Sequence, residues 1–204
     1  MRIALFGGSF DPPHRGHVAI ARAAADAFAL DKVFFTPAAR QPLKSAPATA
    51  SYADRFAMVT LACAEDQRFA PSDLDAPHAE PNYTIRTLNS LTELFPEARI
   101  FNIAGADSFA TLARWMNPQM LLDLADWIVV SRPGFTLADP EGLTLTAQQH
   151  TRIHLLDSVH ENVAATELRR RLEQGDPCKD LLPASVSHYI HQHHLYLAST
   201  RTRP

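Results

Sequence analysis

The start of the chain constrains it most. Residues 2–6 are an apolar run halted by Gly7-Gly8, and residues 17–30 then carry apolar side chains at helical spacing. A run that short predicts a buried strand, followed here by a loop and a helix. A second short run at residues 32–36, closed by Pro37, completes a β-loop-α-β unit. Such a unit pairs its strands in parallel through a right-handed connection.

The alternation continues along the chain. Helical patterns are expected over residues 51–64 and 82–95. Apolar strands are expected over 99–104, ended by Gly105, and 127–130, ended by Arg132-Pro133-Gly134. This order predicts an α/β fold, a Rossmann-like doubly wound parallel sheet. In such folds ligands bind at the carboxyl ends of the strands, where the strand order reverses. Residues 38–50 and 136–149 read as surface loops. A short helix from Thr166, marked by Leu168 and Leu172, and a last one over 184–194 form a small C-terminal helical portion behind the sheet, about residues 164–198. We expect one domain over residues 1–198 and a frayed tail at 199–204.

Composition narrows the function. The chain of 204 residues is 46% hydrophobic, enough for a sizeable core. Its formal net charge of −3 offers no global basic field, so no nucleic-acid partner is expected. No stretch reaches the length of a membrane span and the N-terminus lacks a signal-peptide pattern, so a soluble, cytoplasmic protein is expected, without a membrane partner. Cys63 and Cys178 lie far apart and outside any CxxC spacing, which suggests neither a disulfide framework nor zinc. Among the C-terminal histidines, His188, His191, His193 and His194 share no helical face and have no carboxylate partners following, so a solvated helix is favoured over metal binding. The surface after Pro183 either faces solvent or packs a second subunit, leaving a homo-oligomer open.

The chemistry concentrates in Gly7-Gly8-Ser9-Phe10-Asp11-Pro12-Pro13-His14-Arg15-Gly16-His17, the loop between the first strand and helix. Glycines let a backbone approach phosphate closely, and a helix N-terminus supplies free N–H groups. The stretch is neither the GxGxxG dinucleotide fingerprint nor the GxxxxGK[ST] phosphate loop, which disfavours hydride transfer and ordinary ATPase chemistry. His14 and His17, three apart, can both turn into one loop and donate to phosphate oxygens. The plainer alternatives are a metal pair or a capping histidine. Asp107 follows an apolar strand, as a ribose or metal contact does, or it caps a helix over residues 108–114. Trp115 alone would read as core and Lys44 alone as solvent-facing.

With His14-Arg15-Gly16-His17 as an HxGH signature, the chain resembles the nicotinate-nucleotide adenylyltransferase family. Further matches are Gln41-Pro42-Leu43-Lys44, Asn82-Tyr83-Thr84-Ile85-Arg86-Thr87-Leu88, Gly105-Ala106-Asp107-Ser108, Trp115, Ser131-Arg132-Pro133-Gly134, Val163-Ala164-Ala165-Thr166-Glu167-Leu168-Arg169, and Leu181-Leu182-Pro183 with Tyr189-Ile190. The resemblance implies transfer of the adenylyl group of ATP to nicotinate mononucleotide, with Mg2+ carried mainly on the ATP phosphates and no metal ligands from protein. It implies an ATP site of Gly7, Gly8, Ser9, Phe10, His14, His17, Gly105, Asp107, Arg132, Thr166 and Arg169. His14 and His17 would be catalytic, with His17 the main stabiliser of charge at the α-phosphorus, and Asp107 would hold the ribose. Lys44 would contact the mononucleotide phosphate, Trp115 would stack on the pyridine, and Tyr83 and Thr84 would bind its carboxylate.

The sequence departs from the family pattern in four places. Ala164 and Ala165 stand where the family has serines, Leu43 replaces a histidine before the lysine, and Arg86 replaces an aspartate. Thr166 is expected to cap the helix in their stead. Losing two neutral hydrogen bonds weakens nucleotide binding by about tenfold to a hundredfold. Two alternatives remain: adenylyl or cytidylyl transfer to another phosphate substrate, disfavoured by Tyr83, Thr84 and Trp115, and a nucleotide-binding module with weakened turnover.

Overall fold

In the computed structural model, residues 1–43, 48–78, 81–131, 134, 136–158 and 164–197 are described. The apolar start forms strand β1, Arg2–Gly8, and helix α1 follows at Arg15–Phe28. This helix begins before the expected residue 17 because His14 takes the extended backbone of an N-cap. It ends before Leu30 because Ala29 turns into the left-handed region. Strand β2, Lys32–Pro37, completes the unit.

Helices α2, Tyr52–Cys63, and α3, Thr84–Leu94, fall within the expected spans. Strands β4, Arg99–Gly105, and β5, Asp126–Val130, overlap theirs, each longer by one residue. The pattern did not reveal strand β3, Phe69–Pro71, strand β6, Ile153–Leu156, or helix α5, Pro118–Leu124. The expected loop at 136–149 ends in a helical turn, α6, Ala147–His150. Its N-cap Thr146 accepts from the Gln149 N–H, and the Thr146 N–H donates to the Gln149 side chain in return. Helix α4 is Ala106–Ala110. Helices α7, Ala165–Glu173, and α8, Ala184–Gln192, supply the C-terminal portion.

Among the described residues the six strands form one sheet in the order β3-β2-β1-β4-β5-β6. Every neighbouring pair is parallel. The order reverses between β1 and β4, so α1 and α3 lie on opposite faces and a crevice opens over the ends of β1 and β4. Alternation along each strand feeds two cores. Ala4, Phe6, Phe35, Phe101 and Ile103 pack with α1, α2, α7 and α8. Ile3, Leu5, Ala104, Trp127 and Val129 pack with α3, α4 and α5.

The C-terminal portion shares the first core, since Leu168, Leu172, Leu182, Val186 and Ile190 belong to it. Its connecting turn also docks on the start of α1. The Arg15 N–H donates to the Leu181 carbonyl at 2.8 Å, and Arg15 Nε donates to the Leu182 carbonyl at 3.1 Å. Shared burial predicts shared unfolding. Leu182 is fully buried, so Leu182→Ala should cost about 2–5 kcal/mol. Urea unfolding should remain one transition, shifted to lower denaturant. Tryptophan fluorescence checks it, because Trp115 and Trp127 lie on the opposite face and would report no shift if the C-terminal helices came away alone.

Candidate active site

The loop after β1 is fixed by its aromatics. Phe10 is buried with a φ of 46°, a left-handed conformation that a bulky residue adopts only under constraint. The constraint is packing: its ring sits 5.6 Å from Phe6, 5.6 Å from Phe35 and 4.9 Å from His17. The same ring explains Gly8, where a Cβ would meet it at 3.2 Å. Gly7 and Gly105, at the ends of β1 and β4, differ. A Cβ on either would find no protein atom within 4 Å, so the backbone over the crevice is open to a ligand.

His14 and His17 stack, ring centroids 3.7 Å apart. The His14 N–H donates to His17 Nδ1 at 3.2 Å. A backbone N–H can only donate, so Nδ1 must accept and a neutral His17 carries its proton on Nε2. His14 is buried, and its Nδ1 has no hydrogen-bond partner among the described residues. Burial pushes its pKa down from 6.5 to about 4, so the ring is neutral at pH 7.

Across the crevice, α4 starts where β4 ends. Gly105 is its N-cap, so Asp107 belongs to the first turn and is not the cap. The anticipated capping role for Thr166 is also corrected. Ala164, extended at φ −95°, ψ 122°, is the N-cap of α7 and gives no side-chain cap. Thr166, inside the first turn, receives a long 3.4 Å bond from Arg169 Nη2. Arg169 Nη1 donates to the Asp11 carbonyl at 2.7 Å, which brings this guanidinium to the β1 loop.

The segment expected to take the substrate is less uniform. Tyr83 and Thr84 sit at the start of α3, with the Arg86 guanidinium 5.8 Å over the Tyr83 ring. Trp115 is half-buried and packs edge-on against Trp127 at 5.9 Å, so part of its surface serves the core. Its Nε1 is buried without a partner among the described residues. Lys44 and Arg132 lie outside the described residues.

Sequence reasoning missed three residues that hold the site together. Asn82 joins the 38–50 segment to α3: its Oδ1 accepts the Arg40 N–H at 2.7 Å, and its own N–H donates to the Arg40 carbonyl at 3.1 Å. Beside it lies a pocket of about 260 Å³ lined by Arg40, Tyr52, Arg55, His78 and Asn82, among others. Arg55 is buried and donates to the carbonyls of Ser9 at 2.6 Å, Ala38 at 2.9 Å and Ala50 at 3.3 Å. Asp11, also buried, accepts the N–H groups of Thr49 at 2.6 Å and Ala50 at 3.0 Å. Asp11 and Asn82 lie inside the sequence motifs and Arg55 early in α2, but their partners are too distant in sequence to infer.

Residues 5–171 match the cytidylyltransferase-like family model, and the match places this parallel sheet, with its glycine-histidine loop at the switch point, among the nucleotidyltransferases. The chain is 39% identical to a probable nicotinate-nucleotide adenylyltransferase of Synechococcus sp. strain JA-3-3Ab, over 96% of this chain and 95% of that one. It is 38% identical to a probable enzyme of the same name from Thermus thermophilus, over 96% and 100%. Among solved structures, Plasmodium falciparum nicotinic acid mononucleotide adenylyltransferase complexed with NaAD shares the fold, with a TM-score of 0.74 at 18% identity over 96% of this chain and 97% of that one. The chain belongs to the nicotinate-nucleotide adenylyltransferase family.

The neutral His14 makes a pH prediction. Its folded pKa lies below its unfolded value, so between pH 6.5 and 4 the unfolded chain binds a proton that the folded chain refuses. Stability from this group is therefore full above pH 6.5 and falls as pH drops toward 4, by about 3 kcal/mol. Urea unfolding of the parent and of His14→Asn at pH 7, 5.5 and 4 checks it: the stability difference between the two should shrink by that amount on acidification.

Proposed function

We propose that this chain transfers the adenylyl group of ATP to the phosphate of nicotinate mononucleotide, releasing pyrophosphate and forming nicotinate adenine dinucleotide, a step in building the NAD skeleton. The observation that carries this is the convergence on the β1/β4 crevice of an oriented His17, the open backbone at Gly7 and Gly105, and Arg169 drawn in by the Asp11 carbonyl. The family to which the chain belongs supplies the reaction.

The mononucleotide phosphate is already an anion, so no general base is required. A phosphate oxygen attacks the α-phosphorus in line as the bond to pyrophosphate breaks, and catalysis is positioning plus charge stabilisation. The His17 Nε2–H donates to the oxygens gaining charge at the α-phosphorus, with Ser9 and His14 beside it. Arg169 faces the β- and γ-phosphates near Thr166, while Gly105 and Asp107 receive the ribose. Tyr83, Thr84 and Trp115 take the pyridine end, with Lys44 at the mononucleotide phosphate and Arg132 in the ATP site, both by motif.

ATP enters as its Mg2+ complex. The carboxylate of the β1 loop, Asp11, is buried and held by backbone N–H groups, which fits an ion carried by phosphate oxygens and water. When bound, the ion neutralises phosphate charge. Free, buried Cys63 and Cys178 support work in a reducing cytoplasm. Among the described residues no helix is long and apolar enough to cross a membrane.

One observation favours a second reading, a nucleotide-binding module with weakened turnover: Ala164 leaves α7 without a side-chain cap. Pyrophosphate release with ATP, Mg2+ and either nicotinate or nicotinamide mononucleotide separates the two. We expect release with the nicotinate substrate and a fall in kcat of about 10²–10³ in His17→Ala. ATP binding without release from either substrate would favour the module. Restoring a hydroxyl with Ala164→Ser should lower the KM for ATP by about tenfold and add about 1 kcal/mol of stability from the cap.

A further inference from the structure

The phosphate loop is tied to the far end of the chain. The Tyr196 hydroxyl donates to Asp11 Oδ1 at 2.7 Å, beside the N–H of Ala50 on the same oxygen and that of Thr49 on Oδ2. Both Tyr196 and Asp11 are buried, and Tyr196 takes a φ of 61° to reach inward. Burial, then the charge of Asp11, pushes the phenol far above its ordinary range, so it remains a donor at any working pH. Asp11 also presents its carbonyl to Arg169, and the Arg169 Nη1 lies 3.9 Å from its Oδ2. Arg55 grips the carbonyls on either side of the carboxylate, at Ser9 and Ala50. Thus the β1 loop, the end of the 38–50 segment, α7 and the chain's last described residues meet around one carboxylate.

We propose that Tyr196 is a positioning residue for the ATP phosphates: by donating to Asp11 it fixes the carboxylate's rotamer, and with it the Asp11 carbonyl that aims Arg169 at the β1 loop. A buried carboxylate with a missing donor turns to find another. The closest candidate is Arg169, whose guanidinium would then leave the phosphates for the Oδ2 it already approaches. This inference rests on the adenylyl-transfer reading for its kinetic readout but not for its binding readout.

The test is Tyr196→Phe, which removes one hydroxyl and keeps the ring. The control is Tyr189→Phe on α8, which removes a hydroxyl bonded to Asp54 at 3.1 Å and not to Asp11. Pyrophosphate release by the parent is measured first and decides the adenylyl-transfer reading by itself. In an active parent, Tyr196→Phe should raise the KM for ATP about tenfold while the KM for nicotinate mononucleotide stays within about twofold, and Tyr189→Phe should move neither. A purely structural role would lower the folded fraction, hence apparent kcat, and leave both KM values alone. In a parent without turnover, calorimetric titration with ATP takes the place of kinetics, and Tyr196→Phe should weaken binding about tenfold. Far-ultraviolet circular dichroism of each variant guards against misfolding, and the double variant with Asp11→Asn tests whether the two residues act together. Because Tyr196 acts through Asp11, the ATP effect of Asp11→Asn should not grow when Tyr196→Phe is added. An unchanged ATP KM or Kd in Tyr196→Phe, an equal change in Tyr189→Phe, or additive effects in the double variant would overturn the proposal.

Discussion

The site depends on the parallel pairing of β1 with β4. It sets Phe6 against Ile103 in register and brings Gly7 of one strand near Gly105 of the other. The strand order reverses there, so the helix after β1 leaves to one face and the helices flanking β4 to the other. Among the described residues no connecting helix covers the crevice between them, and two glycine backbones line it. Had β1 paired only with β2, the histidine loop and Asp107 would lie on unrelated parts of the surface.

Holding an irregular loop over that crevice requires partners for its backbone. The stretch from Ser9 to His14 includes Pro12 and Pro13, which have no N–H to give, and its carbonyls cannot enter the sheet. Two long cations, from distant parts of the sequence, solve this. Arg55 takes the Ser9 carbonyl and Arg169 takes that of Asp11. A buried guanidinium is costly unless its donors are filled, and burial holds the Arg55 pKa down. The three carbonyls it serves, with the Asp11 charge nearby, make that burial tolerable. The loop is therefore rigid through polar contacts as well as through the packing of Phe10. A catalyst that works by placing charge needs that rigidity.

This division explains what the sequence discloses. The central strands and long helices are legible because periodicity is local: β1, β2, β4 and β5 are short apolar runs ended by glycine or proline, and α1 and α3 carry apolar stripes. The edge strands are not. β3 is three residues ending in a proline, and β6 has a histidine among its four residues; neither offers a period to detect. At the site, the glycines and histidines stand out as an unusual string, and the fold brings them together with Arg169. Asp11 lies within the same string and Tyr196 near the chain's end, but they are partners separated by 185 positions. No local pattern announces such a bond, nor the one from Arg55 to Ser9. The cap of α7 is misplaced by sequence reasoning because Thr166 is a better capping residue than Ala164. The chain nevertheless extends at Ala164, so propensity yields to tertiary position.

The position of that cap bears on what the missing serines mean. Ala164 gives its helix no side-chain acceptor, so the first N–H groups of α7 keep their donors for another partner. A serine cap satisfies one of those donors internally and contributes its hydroxyl outward only in part. An alanine cap forfeits the hydroxyl but leaves the helix N-terminus its partial positive charge, and Arg169 still reaches the β1 loop at the Asp11 carbonyl. The backbone N–H groups at this end are thus left without a side-chain acceptor from the cap. The cost falls on helix stability, while Arg169 is still oriented by its bond to the Asp11 carbonyl.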